Sequence, residues 1–70
     1  MVEKTIQLTG TSTNGVQEAI ELAIARAGVT IRGIRRARLR ELRLEIDDNR
    51  ISHWIVELDV TFEILEELHG

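Results

Sequence analysis

The segment from Ile51 to Ile64 alternates more regularly than any other part of the chain, and it limits the possible folds more than any other feature. Trp54, Val56, Leu58, Val60, Phe62 and Ile64 fall on one side, and His53, Glu57, Asp59, Thr61 and Glu63 on the other, with Ile55 as the apolar exception on the polar side. A period of two over this length specifies a long strand with one buried and one polar face. The preceding segment, Ile34 to Ile46, has apolar residues at odd positions near its start (Ala37, Leu39) and at even positions near its end (Leu42, Leu44, Ile46). One inserted residue reverses the alternation, so a β-bulge around Arg40-Glu41 brings both sets onto one face. The Asp47-Asp48-Asn49 cluster reads as a turn, and a three-residue loop in this region gives the register Leu44 opposite Trp54, Leu42 opposite Val56, Leu39 opposite Leu58 and Ala37 opposite Val60. The other face then sets Arg38 against Asp59 and Arg36 against Thr61, with Glu57 close to Arg40. Opposite charges facing each other contribute about 0.2 to 1 kcal/mol per pair.

Two further elements precede this hairpin. Val2 to Thr9 alternates, with Val2, Ile6 and Leu8 against Glu3, Thr5 and Gln7, and Lys4 breaks the apolar side near its end. Gly10 to Gly15 interrupts the pattern and offers several hydroxyl or amide caps for a helix. From Val16 to Ala27 the apolar residues Val16, Ala19, Ile20, Ala23, Ile24 and Ala27 form a stripe spaced by three and four, the mark of an amphipathic helix. Gly28 followed by Val29 suggests a left-handed helix stop, Thr30 to Gly33 is a link, and the tail from Leu65 to Gly70 is expected to fray. The order is strand, helix, strand, strand, an α+β arrangement in a single domain spanning residues 1–70.

Such a chain needs partners. A strand of 13 or 14 residues extends about 45 Å, while a helix of about 14 residues covers roughly 21 Å, so one helix cannot cover the hairpin. A 70-residue chain with no Cys has no disulfide to support it, and two His, His53 and His69, cannot assemble a zinc-type cluster. The uncovered apolar surface calls for another copy of the chain. No apolar run is long enough for a membrane span and no secretory signal is recognisable, so the expected location is cytoplasmic.

The candidate chemistry is sparse. Eight of nine basic residues are Arg, and Arg32, Arg35, Arg36, Arg38, Arg40 and Arg43 lie within twelve positions. Nucleic-acid binding is disfavoured by the net charge of −3 and by the assignment of both aromatics, Trp54 and Phe62, to the core face. A cross-strand and intersubunit ion-pair face accounts for the arginines better. Gly33-Ile34-Arg35-Arg36 lacks the second Gly, the Lys-Ser/Thr pair and the helix of a phosphate loop. Ser52 and His53 are adjacent in a strand and point to opposite faces, so they are not expected to form a nucleophile and base. His53 is read as a surface residue near Glu45, and an enzyme is not expected.

The segment order, the opening Leu8-Thr9-Gly10-Thr11-Ser12, the Ala25-Arg26-Ala27 near the helix end and the closing Val60-Thr61-Phe62-Glu63 resemble the dodecins along nearly the whole chain. The resemblance implies a protomer in which a three-stranded antiparallel sheet wraps around one helix and twelve copies assemble into a hollow homo-dodecamer. It also implies small-molecule binding or storage, with a flavin (riboflavin or FMN) stacked on a Trp of the second strand and bonded at its edge by a Gln of the third. In this sequence those two positions hold Arg36 and Ile55, as in a branch lacking the stacking Trp, some of whose members are associated with Ca2+. Glu45 matches a carboxylate near the ligand channel of some flavin binders. Arg36, Glu45 and Ile55 are therefore the ligand-lining candidates, for an atypically bound flavin or an anionic metabolite. The alternative is a structural shell with no organic ligand, with calcium held by carboxylates such as Glu57, Asp59 or Glu63.

Overall fold

The computed structural model describes residues 1–64, and the expected fraying of the tail lies outside them. The order is β1 (Val2–Ser12), α1 (Val16–Gly28), β2 (Ile34–Asp47) and β3 (Arg50–Ile64). The strands form one antiparallel sheet in the order β1-β3-β2, which places the apolar alternation of β3 at the centre. The helix packs on β1 and β3. Its Ala19 and Ala23 rest on Val56, Leu58 and Val60, flanked by Ile6, Leu8, Val16, Ile20, Ile24 and Ile34. Small residues on the helix let it sit close to the sheet, so the buried core holds few large side chains.

The expected hairpin register is observed. Leu44 pairs with Trp54, Leu42 with Val56, Leu39 with Leu58, Ala37 with Val60, Arg38 with Asp59 and Arg36 with Thr61, across a bulge at Arg40. The turn differs from the expected three-residue form. Asp47 pairs with Arg50, which leaves only Asp48 and Asn49 in the turn, with φ of 54° and 62°. Two successive left-handed residues match the twist of the flanking strands, and Asp and Asn tolerate that region better than most residues. The extra residue reappears as a second bulge at Ser52, so the register beyond it is the same. A third irregularity, at Arg35, follows Gly33, whose φ of 75° lets its carbonyl accept from Glu63 N at 3.0 Å.

Two element ends also differ from expectation. β1 continues past Thr9 to Ser12, with Gly10 opposite Val56. A Cβ on Gly10 would run into the Ala19 carbonyl oxygen and lie 2.9 Å from the Ala23 Cβ. Gly10 is thus where the helix crosses the strand at close range rather than where the strand stops. At the helix C-terminus Gly28 is helical and Val29 has φ −64° and ψ −38°, so no left-handed stop forms. At the N-terminus Gly15 occupies the cap position without a side-chain bond to the helix. The Ser12 hydroxyl instead accepts from Asn14 N at 2.8 Å and donates to Glu18 Oε2 at 2.7 Å.

The hairpin outruns the helix as expected. The radius of gyration is 15.0 Å and the long dimension 61 Å, against about 11 Å for the radius of a compact domain of this length. On the helix side of the sheet, Leu39, Leu42, Leu44 and Ile46 of β2 and Ile51 of β3 remain 41–59% exposed. Trp54 is half-buried beside them.

Candidate functional site

The face of the sheet away from the helix carries the polar residues of all three strands. Alternation sets Glu3, Thr5 and Gln7 on β1 beside Glu63, Thr61 and Asp59 on β3, and Arg36 and Arg38 on β2 beside Thr61 and Asp59. The expected ion-pair face forms. Arg36 reaches across to Glu3 at 2.6 Å, and Arg35 binds Glu63. Asp59 is shared: Arg40 approaches it at 2.8 and 3.3 Å and Arg38 at 3.2 Å. Arg40 was expected near Glu57, but its position at the bulge turns it toward Asp59. Glu57 is taken by Arg43, which also binds Glu41 at 2.8 Å.

These contacts determine which groups stay charged. The hydrogen bonds from Arg40 are the largest influence on Asp59, and they hold its carboxyl below the usual carboxylate range despite the desolvation of a side chain only 11% exposed. The bonds of Glu57 and then Glu41 hold Arg43 in its charged form. Near the helix N-terminus, Ser12 and then Asn14 lower the Glu18 carboxyl.

Between the arginines lies a hollow of about 310 Å³ bounded by Thr5, Arg36, Ala37, Arg38, Asp59 and Thr61. The Thr5 and Thr61 hydroxyls, which are cross-strand neighbours, are 2.9 Å apart. Arg36 therefore borders a concave site. Glu45 and Ile55 share its face at the other end: Glu45 is opposite His53 and Arg43 is opposite Ile55. Six strand positions separate Ile55 from the Thr61 that pairs with Arg36, or about 20 Å at the rise of a strand. Within one protomer the structure thus brings Glu45 and Ile55 together but not Arg36.

His53 lies near Glu45 as expected, with Nδ1 3.3 Å from Glu45 Oε1. Ser52 departs from expectation. The bulge rotates it out of alternation, its hydroxyl donates to the Glu45 carbonyl at 3.2 Å, and its Oγ stands 3.0 Å from His53 Nδ1. Ser52 and Glu45 meet the same ring nitrogen, whereas a nucleophile–base–carboxylate relay uses both nitrogens of the imidazole. Among the described residues no group of three or more His, Asp, Glu or Cys is placed to hold a metal ion. Glu57, Asp59 and Glu63, the carboxylates considered for calcium, are each held by arginine. Among the described residues no helix is long and apolar enough to cross a membrane.

Sequence reasoning located Arg36 but missed the hollow beside it. The signal was available in the pairing of Thr5 and Thr61, two small side chains between rows of long ones.

Known proteins match this architecture along its length. The family model described as Dodecin matches residues 2–65. The dodecin of Thermus thermophilus is 35% identical over 65 residues, covering 93% of this chain and 94% of that protein. The solved structure of the dodecin from Streptomyces davaonensis superposes with a TM-score of 0.88 at 32% identity, covering 93% of this chain and 96% of that one. A Mycobacterium tuberculosis structure, described as a calcium chelating immunodominant antigen with a novel calcium-binding site, gives 0.81 at 28% identity over the full length of both chains. With its strand order, its bulged hairpin and the helix that follows β1, the chain belongs to the dodecin family.

Proposed function

We propose that this chain is the protomer of a hollow homo-dodecamer in the cytoplasm that binds and stores a small organic molecule without transforming it. The ligand is a flavin held in an atypical way, or another anionic metabolite. The observation that carries this reading is the hollow on the outer sheet face, with Arg36 on its rim. A guanidinium can lie flat on a π system, although it offers less stacking surface than an indole. In this reading Arg36 of one protomer is to line the pocket together with Glu45 and Ile55 of a neighbour, because a single chain keeps them about 20 Å apart. The exposed apolar row of β2 supports the shell, because sealing it requires a second copy.

Titration of riboflavin and FMN into the purified protein, followed by flavin fluorescence, tests this reading. Saturable quenching at a fixed ratio of flavin to protomer is expected. Absence of quenching by either flavin at micromolar protein overturns the flavin form of the proposal. A second reading, a structural shell associated with calcium and without an organic ligand, is favoured by the calcium-chelating description of the Mycobacterium tuberculosis relative. Calorimetric calcium binding in the absence of any flavin response selects it.

A further inference from the structure

We infer that the hollow between Arg36 and Arg38 is a seat for the phosphoryl group of a small phosphomonoester, so that the site selects phosphorylated over unphosphorylated ligands. This inference rests on the proposed ligand-binding role of the outer face and specifies what that face recognises. Its first support is the local charge. Arg36, Arg38 and Arg40 bring three guanidinium groups to this patch, and Glu3 and Asp59 bring two carboxylates. Arg40 makes two contacts with Asp59 and Arg38 makes one, longer than the shorter of those two. Asp59 stays ionised and cannot neutralise both arginines, so Arg38 is left with a surplus of positive charge. Its side chain is 78% exposed, and that of Arg36 is 64% exposed.

Geometry is the second support. Arg36 and Arg38 are two positions apart on one strand, so their stems project from the same face about 6.6 Å apart. A tetrahedral group with three free oxygens can span two guanidinium forks at that spacing and keep an oxygen for a hydroxyl donor. The Thr5 and Thr61 hydroxyls lie side by side at the edge of the same hollow. Each hydroxyl has a single proton, so at most one is used between them and the other remains to donate to a phosphate oxygen. At about 310 Å³ the hollow is at the small end of organic ligand sites, enough for the phosphoryl group and the first atoms of its ester. The rest of the molecule then extends along the outer face.

The experiment uses the assembled protein with riboflavin, FMN and inorganic phosphate as probes. Riboflavin and FMN are titrated at low and moderate salt with flavin fluorescence, and inorganic phosphate is followed on flavin-free protein by 31P line width. FMN is expected to bind about tenfold more tightly than riboflavin, a preference that weakens with salt, since the phosphate contacts are charge-assisted and exposed. In Arg38→Gln the ratio of FMN to riboflavin affinity falls toward unity, and Thr5→Val lowers it part of the way. Equal affinity for the two flavins overturns the phosphate seat and leaves the flavin reading standing. If neither flavin binds, the flavin reading falls by itself and inorganic phosphate decides the seat. Broadening abolished by Arg38→Gln then supports it, and no broadening overturns it.

Discussion

Gly10 and Gly28 should respond in opposite directions to the same substitution. A Cβ at Gly10 would strike the Ala19 carbonyl oxygen and lie 2.9 Å from the Ala23 Cβ, whereas one at Gly28 meets nothing within 4 Å. Carbon atoms in contact prefer about 3.5 to 4.0 Å, so relief at Gly10 requires α1 to lift off β1 by close to 1 Å. The obstacle is helix backbone, so no rotamer change can relieve it. Overpacking of this kind costs about 1 to 3 kcal/mol. Lifting the helix also opens a gap above Val56, Leu58 and Val60, the largest fully buried side chains, and a gap of that size forfeits about a quarter to a half of the local dispersion energy. Both effects act together, which places Gly10→Ala near 3 kcal/mol. At about 4 to 8 °C per kcal/mol for a domain of this size, the melting temperature falls by roughly 12 to 24 °C. Gly28→Ala removes unfolded-chain freedom at a helical position and should add about 0.4 to 1 kcal/mol, or a few degrees. Thermal unfolding followed by far-ultraviolet circular dichroism, at one fixed protomer concentration because assembly couples to stability, compares the two variants. A Gly10→Ala melting temperature equal to or above that of the parent refutes the close-approach argument.

Other expectations follow from the exposed row, the turn and the carboxylates. Leu39, Leu42, Leu44, Ile46 and Ile51 are each about half exposed, so sealing them contributes about 1 kcal/mol apiece, or about 5 kcal/mol per protomer. Leu44→Glu puts an unpaired carboxylate into that seam and should reduce the mass seen by light scattering at micromolar concentration; an unchanged mass rules out this row as the interface. At the turn, Asn49→Gly should raise stability slightly and Asn49→Val should lower it by about 1 kcal/mol or more, because φ at Asn49 is 62°; chemical denaturation midpoints in the reverse order contradict the turn assignment. Arg40 holds Asp59, and Ser12 holds Glu18, below their ordinary pKa. A carboxylate shifted down contributes stability that is present above its unfolded value, near 4, and is lost as pH falls through its folded value. Melting temperature should therefore be flat above about pH 5 and decline below about pH 4. An equally steep acid decline in the Asp59→Asn, Glu18→Gln double variant dismisses both contacts as its source.

The register of the hairpin was legible because two apolar sets out of phase have one economical solution, the bulge at Arg40. The bulge at Ser52 was missed because its signal is a single residue: Ile51 is out of phase with Trp54 and Val56, and one apolar residue beside a turn does not read as a phase change. That one unseen bulge also accounts for the misreading of Ser52 and His53, whose side chains meet only because alternation is broken there. Gly10 was taken as a strand end because Gly punctuates loops far more often than it marks a helix crossing. The partner of Arg40 was missed for a different reason: a long side chain on a bulge can reach carboxylates on either side, and pairing distances along the strand do not choose between them. At the candidate site, the scarcity of aromatics was legible in composition. The hollow beside Arg36 was not, since it arises from two threonines brought together from β1 and β3.

The sheet order β1-β3-β2 has a consequence for how the chain is made. The central strand is the last of the four elements to be synthesised, and the strand that pairs with it along the helix-covered side is the first, with Val2 beside Ile64. A nascent chain carrying β1 and α1 has an amphipathic helix and an edge strand but lacks Val56, Leu58 and Val60 of β3, on which the core is built. The β2-β3 hairpin can zip locally within microseconds of its emergence. The return of β1 across the length of the protomer is the long-range step and comes after it. The chain therefore becomes folded only when β3 is complete, and chains truncated during translation lack the central strand on which the core is built.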